Sequence, residues 1–143
     1  MDLKKEFGRI LTESSDLALA TCVDGVPNVR IMNVCYDPAH PGSFFVSTDK
    51  GSPKTVEFEK NPKVAFMTYP GDPSKGSFYV RSNDAEIMPS TVPLDDLWDS
   101  FVEQVFMFEK VAKMKGDKMA IYEVKVHSAE VAPSMKERGT VTF

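Results

Sequence analysis

The chain has 143 residues, 42% of them hydrophobic and 10% aromatic, which is enough material for one domain, over residues 1–143, with a substantial core. Charged residues make up 27% and the net charge is −4, so no global positive field recruits nucleic acid or an anionic membrane, and any anion site must be local. Met1 to Phe7 holds no continuous apolar stretch, and no window approaches the roughly 20 apolar residues of a membrane span; the expectation is a cytoplasmic protein.

Leu3, Phe7, Ile10 and Leu11 recur at helical spacing, which predicts an amphipathic helix over residues 2–13, ended by Ser14-Ser15. Leu17 to Val23, the tight turn Asp24-Gly25-Val26-Pro27, and Asn28 to Tyr36 then read as strand, turn and strand. Asp37 to Gly42 is a loop, and residues 43–48 form the next strand. A short helix runs from Pro53 until Asn61-Pro62 stops it. Lys63 to Tyr69 is mostly apolar and suits a fully buried strand, punctuated by Pro70-Gly71-Asp72-Pro73. Another strand covers Ser77 to Met88.

From Leu94 through Leu97, Trp98, Phe101, Val105 and Phe108 to Ala112 the period returns to helical, with Asp95 and Asp96 in the first turn and Lys113, Lys115 and Gly116 marking the end. Phe101, Phe106, Met107 and Phe108 crowd nearly all sides of this helix, more apolar surface than one face buries, so some of it is expected to meet a second chain. Met119 to Val131 is a last alternating strand, and Pro133 to Phe143 carries no clear pattern. Six or so strands with short turns and helices at the start, middle and near the end favour a closed or nearly closed antiparallel barrel. Alternating βα units and a Gly-x-Gly-x-x-Gly fingerprint are both absent.

Two cysteines are too few for a disulfide framework. In the hairpin Cys22 faces Pro27 or Asn28, leaving Cys35 too far along to bond with it, and both are expected to be buried structural thiols. His40 and His127 lie far apart, so no zinc set forms; both are expected to be exposed. Trp98 sits on the apolar stripe and reads as packing. No nucleophile triad or paired-carboxylate site stands out, so no catalytic side chain is nominated.

The strongest local signal is Phe44-Phe45-Val46-Ser47-Thr48-Asp49-Lys50-Gly51-Ser52-Pro53-Lys54, an apolar strand running through hydroxyl and basic residues into a helix start. Ser52 reads as the N-cap and Pro53 as the first helical residue, so backbone N–H groups, the helix dipole and Lys54 face one anion. Upstream, Pro27-Asn28-Val29-Arg30-Ile31-Met32-Asn33-Val34 places Arg30 near the same site if the two strands are neighbours. Ile31 and Met32 are expected in the core, and Asn33 reads as a short polar residue in a strand.

Three segments, Leu19 to Arg30, Phe45 to Lys54 and Glu59-Lys60-Asn61-Pro62-Lys63-Val64-Ala65, resemble the FMN-binding split-barrel proteins related to pyridoxamine 5'-phosphate oxidase, in order and spacing, over about residues 5–131. The resemblance implies a mainly β fold, a six-stranded antiparallel split barrel with flanking helices. It also implies a homodimer with FMN, or a deazaflavin, at its interface. Carried onto matching positions, Arg30 and Lys54 bind the phosphate, Ser47, Thr48 and Ser52 supply hydroxyl or backbone hydrogen bonds, and Ile31, Met32 and Asn33 pass along the ring. Lys50 is added from its place on the same approach. Arg81 lies on a strand that family members bring near the partner's flavin.

Pro53 stands where the oxidase pattern has arginine, Cys35 where it has lysine, and the carboxy-terminal Arg-x-His signature has no counterpart. The implied function is therefore flavin-mediated hydride or electron transfer to or from a small molecule other than pyridoxamine phosphate. The alternative is a barrel that holds flavin or haem for storage or sensing. A nucleic-acid-binding barrel is disfavoured by the net charge.

Overall fold

The computed structural model describes residues 1–70 and 78–143; the strand start at Ser77 and the turn at Gly71-Asp72-Pro73 lie outside them. Helix α1, Leu3–Glu13, begins where the Asp2 carboxylate accepts the Lys5 N–H at 3.2 Å and ends at Ser14. It buries Phe7, Ile10 and Leu11. Strands β1, Asp16–Val23, and β2, Val26–Asn33, form a hairpin whose two turn residues have positive φ, 52° at Asp24 and 79° at Gly25. That is the primed turn whose twist matches its strands. Its register sets Cys22 opposite Pro27, as expected, but β2 starts at Val26 and ends at Asn33.

Strand β3, Ser43–Asp49, leads through Gly51 into α2, Pro53–Lys60, and then β4, Lys63–Thr68. β4 alternates instead of being buried throughout: Val64, Phe66 and Thr68 point inward and Met67 outward. β5, Tyr79–Pro89, is followed by α3, Leu94–Gln104, and α4, Phe108–Lys115; a single 3-10 turn, Gly116–Lys118, leads into β6, Met119–Ala132. The tail adds β7, Gly139–Thr142, against β6. Among the described residues the sheet thus has seven strands, not six, and β7 escapes sequence reading because it is four residues long and buries only Val141.

The described strands pair antiparallel in the order β2-β1-β4-β5-β6-β3. The ends approach where Cys35 and Phe45 exchange backbone hydrogen bonds of 2.9 and 2.8 Å, an isolated bridge that leaves the bodies of β2 and β3 apart. The result is a split barrel, plugged by α1. Phe44 and Val46 face this interior, whereas Phe45 faces outward into a second core with Cys35, Leu97, Phe101, Val105 and Phe108 beneath α3 and α4. A strand covered on both faces reads as a continuous apolar run, which explains Phe44-Phe45-Val46.

The expected helix over 94–112 is broken at Val105–Met107, with Met107 at φ 59°. On a straight helix, residues seven apart lie about 10 Å apart along the axis. The break instead lets Phe101 and Phe108 stack at 4.5 Å between ring centroids. It buries those two rings within the chain but leaves Phe106 88% exposed. No helix of the described residues is long and apolar enough to cross a membrane.

Candidate functional site

Because β3 runs into α2 through Gly51, at φ 72°, the end of the strand and the start of the helix share one corner of the barrel. Ser52 is the N-cap and Pro53 the first helical residue, as the sequence predicts. The Ser52 hydroxyl makes no capping bond; it is buried and has no hydrogen-bond partner. Thr48, 5% exposed at the end of β3, carries a second buried hydroxyl without a partner. Burying an unsatisfied hydroxyl costs about 1–3 kcal/mol, so a hydrogen-bonding group that reaches either oxygen would offset that cost.

Pro53 has no N–H, and the Thr55 and Val56 N–H groups bond back to the Ser52 carbonyl at 3.0 and 3.4 Å. Among described residues this leaves Lys54, half-buried, as the main donor of the first turn. Lys50 is exposed and fixed through its backbone N–H to the Lys118 carbonyl at 2.8 Å, while Ser47 is half-buried beside Ile121 of β6. Asp49 between them meets Lys115 at 2.6 Å, and this bond, with the Lys115 and Lys54 charges, holds its carboxyl below the usual range.

Arg30 reaches the same helix one turn further on. One guanidinium nitrogen donates to the Glu57 carboxylate of α2, another to the Thr21 hydroxyl at 2.9 Å, and the Phe58 ring lies 6.0 Å away. Glu57 was not foreseen; the available signal was a carboxylate on the helix adjoining an arginine-bearing strand. Met32 is in the core, but Ile31, expected there, is 54% exposed, and Asn33 is exposed as well. Alternation along β2 decides this: Arg30 and Met32 share the inner face, Ile31 and Asn33 the outer. The structure therefore gathers Thr48, Ser52 and Lys54 at the start of α2, ties Arg30 to its second turn, and turns Ile31 and Asn33 away.

On that outer face Ala18, Ala20, Val29, Ala65 and Met67 floor a groove of about 620 Å³ walled by Arg81 and Glu130, a size suited to a small ligand. Glu130 accepts from Tyr79 and Arg81; these bonds depress its carboxyl pKa and raise the Tyr79 phenol. Among the described residues, no histidine or cysteine lines this groove. His127 is exposed, as expected, whereas His40 is half-buried, its ring edge-on to Phe45 with 5.8 Å between ring centroids. Cys22 is exposed, against expectation, because it faces outward at the hairpin end; Cys35 is buried and its thiol is pushed up to about 12 by desolvation, with Asp37 adding to it. No cluster of His, Cys, Asp and Glu among the described residues could hold a metal ion.

Residues 10–138 match the family described as pyridoxamine 5'-phosphate oxidase-like. The chain belongs to that family. No curated protein matches it. Among solved structures it is similar to a heme binding protein from Mycobacterium smegmatis, at 13% identity and a TM-score of 0.76 over 99% of this chain and 58% of that one. It is similar to ChuZ of Campylobacter jejuni at 14% identity and a TM-score of 0.75, over 98% and 59%. General Stress Protein 26 of Bacillus anthracis matches at 16% identity and a TM-score of 0.71, over 100% of both chains. At these identities the likeness establishes the fold alone, and the chain spans less than two thirds of the first two proteins.

Proposed function

We propose that this family member is a homodimeric FMN-binding oxidoreductase, with the flavin phosphate at the start of α2. The observation that carries the reading is the pair of buried, unpartnered hydroxyls of Thr48 and Ser52 beside the α2 terminus and Lys54. A phosphate dianion is held by hydroxyl, ammonium and backbone N–H donors together, and toward these the corner brings two hydroxyls, the Lys54 ammonium and, of the first-turn amides, that of Lys54. Ser47 and Lys50 border it, and Arg30 approaches from the second turn.

Bound flavin supplies hydride or electron transfer; the chain binds and orients it. The half-exposed outer face of β1, β2 and β4, with Val29, Ile31 and Met67, is the surface for a second copy, which would cover Ile31 and Asn33 and complete a wall for the ring. Cys35, buried and held as the neutral thiol, takes no part in redox chemistry.

The test is a visible spectrum of untagged protein with added FMN, followed by fluorescence titration of wild type and Lys54→Ala. Quenching at low micromolar FMN or tighter, weakened at least about tenfold (about 1.4 kcal/mol) by the substitution, is expected. Reduction of the bound flavin by a nicotinamide nucleotide identifies an enzyme, and a bound flavin without turnover identifies a carrier or sensor. A Soret band, or no quenching at any accessible concentration, refutes the FMN reading.

A further inference from the structure

The guanidinium that the phosphate reading assigns to FMN already has an anion. Glu57 commits both carboxylate oxygens to β2, one to Arg30 and the other to the Asn28 amide at 3.2 Å. The Arg30 and Glu57 side chains are only 16% and 24% exposed, so water screens this pair less than a surface pair. Thr21 holds a second Arg30 nitrogen through a neutral hydroxyl and the Phe58 ring lies alongside, so the charge that holds the guanidinium is that of Glu57. Asp49, at the end of β3, pairs with Lys115 at 2.6 Å, in a position more open to water. Two of the cations around this corner are therefore already neutralised, and an incoming dianion meets chiefly Lys54, Lys50 and the two hydroxyls.

We infer that Glu57 is the residue that sets how strongly the site prefers a phosphorylated ligand: by holding Arg30, it lowers the advantage of FMN over riboflavin. This rests on the phosphate site proposed above. Glu57 acts through Arg30, so it is a positioning residue. Losing its charge frees a guanidinium for the phosphate without altering anything that touches the ring.

The experiment compares the dissociation constants of FMN and riboflavin for wild type, Glu57→Gln and Asn28→Ala. Glu57→Gln is expected to tighten FMN about tenfold, with riboflavin unchanged within about twofold. Asn28→Ala, which removes the other contact of Glu57 without changing charge, leaves both constants within about twofold. An FMN constant that stays put or weakens in Glu57→Gln, or a riboflavin constant that shifts equally, overturns the inference. A thermal-shift titration with inorganic phosphate reads the same effect without flavin: Glu57→Gln is stabilised by phosphate more than wild type. Equal stabilisation overturns the role of Glu57, whereas a larger shift in a protein that binds neither flavin sinks the flavin reading alone.

Discussion

Replacing Thr48 by Val should change folding and binding in opposite directions. The side chain is 5% exposed, packs at the end of β3 beside Ala120, and carries a hydroxyl without a partner. Valine keeps nearly the same shape and removes the unsatisfied oxygen, so the ligand-free protein gains about 1–2 kcal/mol, the low part of the cost of a buried unpaired polar group. For 143 residues at about 2.1 cal/mol/K each, the unfolding entropy is near 300 cal/mol/K, and each kcal/mol raises Tm by about 3 °C. A hydroxyl bonded to a charged phosphate contributes about 1.5–3 kcal/mol, so the FMN constant weakens by roughly 10- to 150-fold. Thermal melts followed by circular dichroism give the first number and FMN fluorescence quenching the second. A lower Tm without ligand would show that the hydroxyl has a partner in the folded protein. A raised Tm with unchanged FMN affinity would mean that the oxygen is a packing remnant and that the phosphate binds elsewhere.

Gly8→Ala should destabilise by about 1–2 kcal/mol although alanine favours helix, because its Cβ would lie 2.7 Å from the Tyr36 ring, which is itself buried; a urea melt with a raised midpoint would show that the ring moves aside. Iodoacetamide at pH 8–9 should modify Cys22 alone in the folded protein and both thiols in denaturant, read by mass spectrometry. The raised Cys35 value has a consequence for stability. The unfolded thiol loses its proton near 9, before the folded one, so stability present below that pH declines as pH rises toward 12, and Cys35→Ala should lack this part of the decline in alkaline melts.

Much of the barrel is legible in the chain because its signals are local. Asp24-Gly25 supplies the two positive φ values of the hairpin, Ser52-Pro53 the helix start, and Asn61-Pro62 its end. What the sequence hid depends on contacts between distant segments. The helix over 94–112 has an unbroken apolar stripe, and only the stacking of Phe101 on Phe108 shows why it folds back at Met107. The facing of Ile31 depends on register, since a one-residue shift exchanges the two faces of a strand. At the site, Thr48, Ser52 and Lys54 were readable because they are consecutive with a helix start, whereas the Arg30–Glu57 pair joins residues 27 apart and is visible only in three dimensions.

The two departures from the oxidase pattern also differ in kind. Pro53 is exposed at the first position of α2, where a longer cationic side chain meets only solvent and the helix terminus. Cys35 is sealed, bridged to Phe45 and packed among Leu97, Phe101 and Val105, so a lysine there would place its stem in an apolar cluster and bury an ammonium at a cost of several kcal/mol. Position 35 in this chain closes the barrel under α3 and cannot be returned to phosphate binding by one substitution. Pro53→Arg is therefore expected to keep Tm within a few degrees and tighten FMN several-fold, whereas Cys35→Lys should lower Tm by about 10 °C or more, or prevent folding, without any gain in FMN affinity. Melting curves and FMN titrations of the two variants side by side decide the matter. A Cys35→Lys protein with wild-type Tm and tighter FMN would show that the lysine reaches the start of α2, and the assignment of this residue to the second core would be wrong.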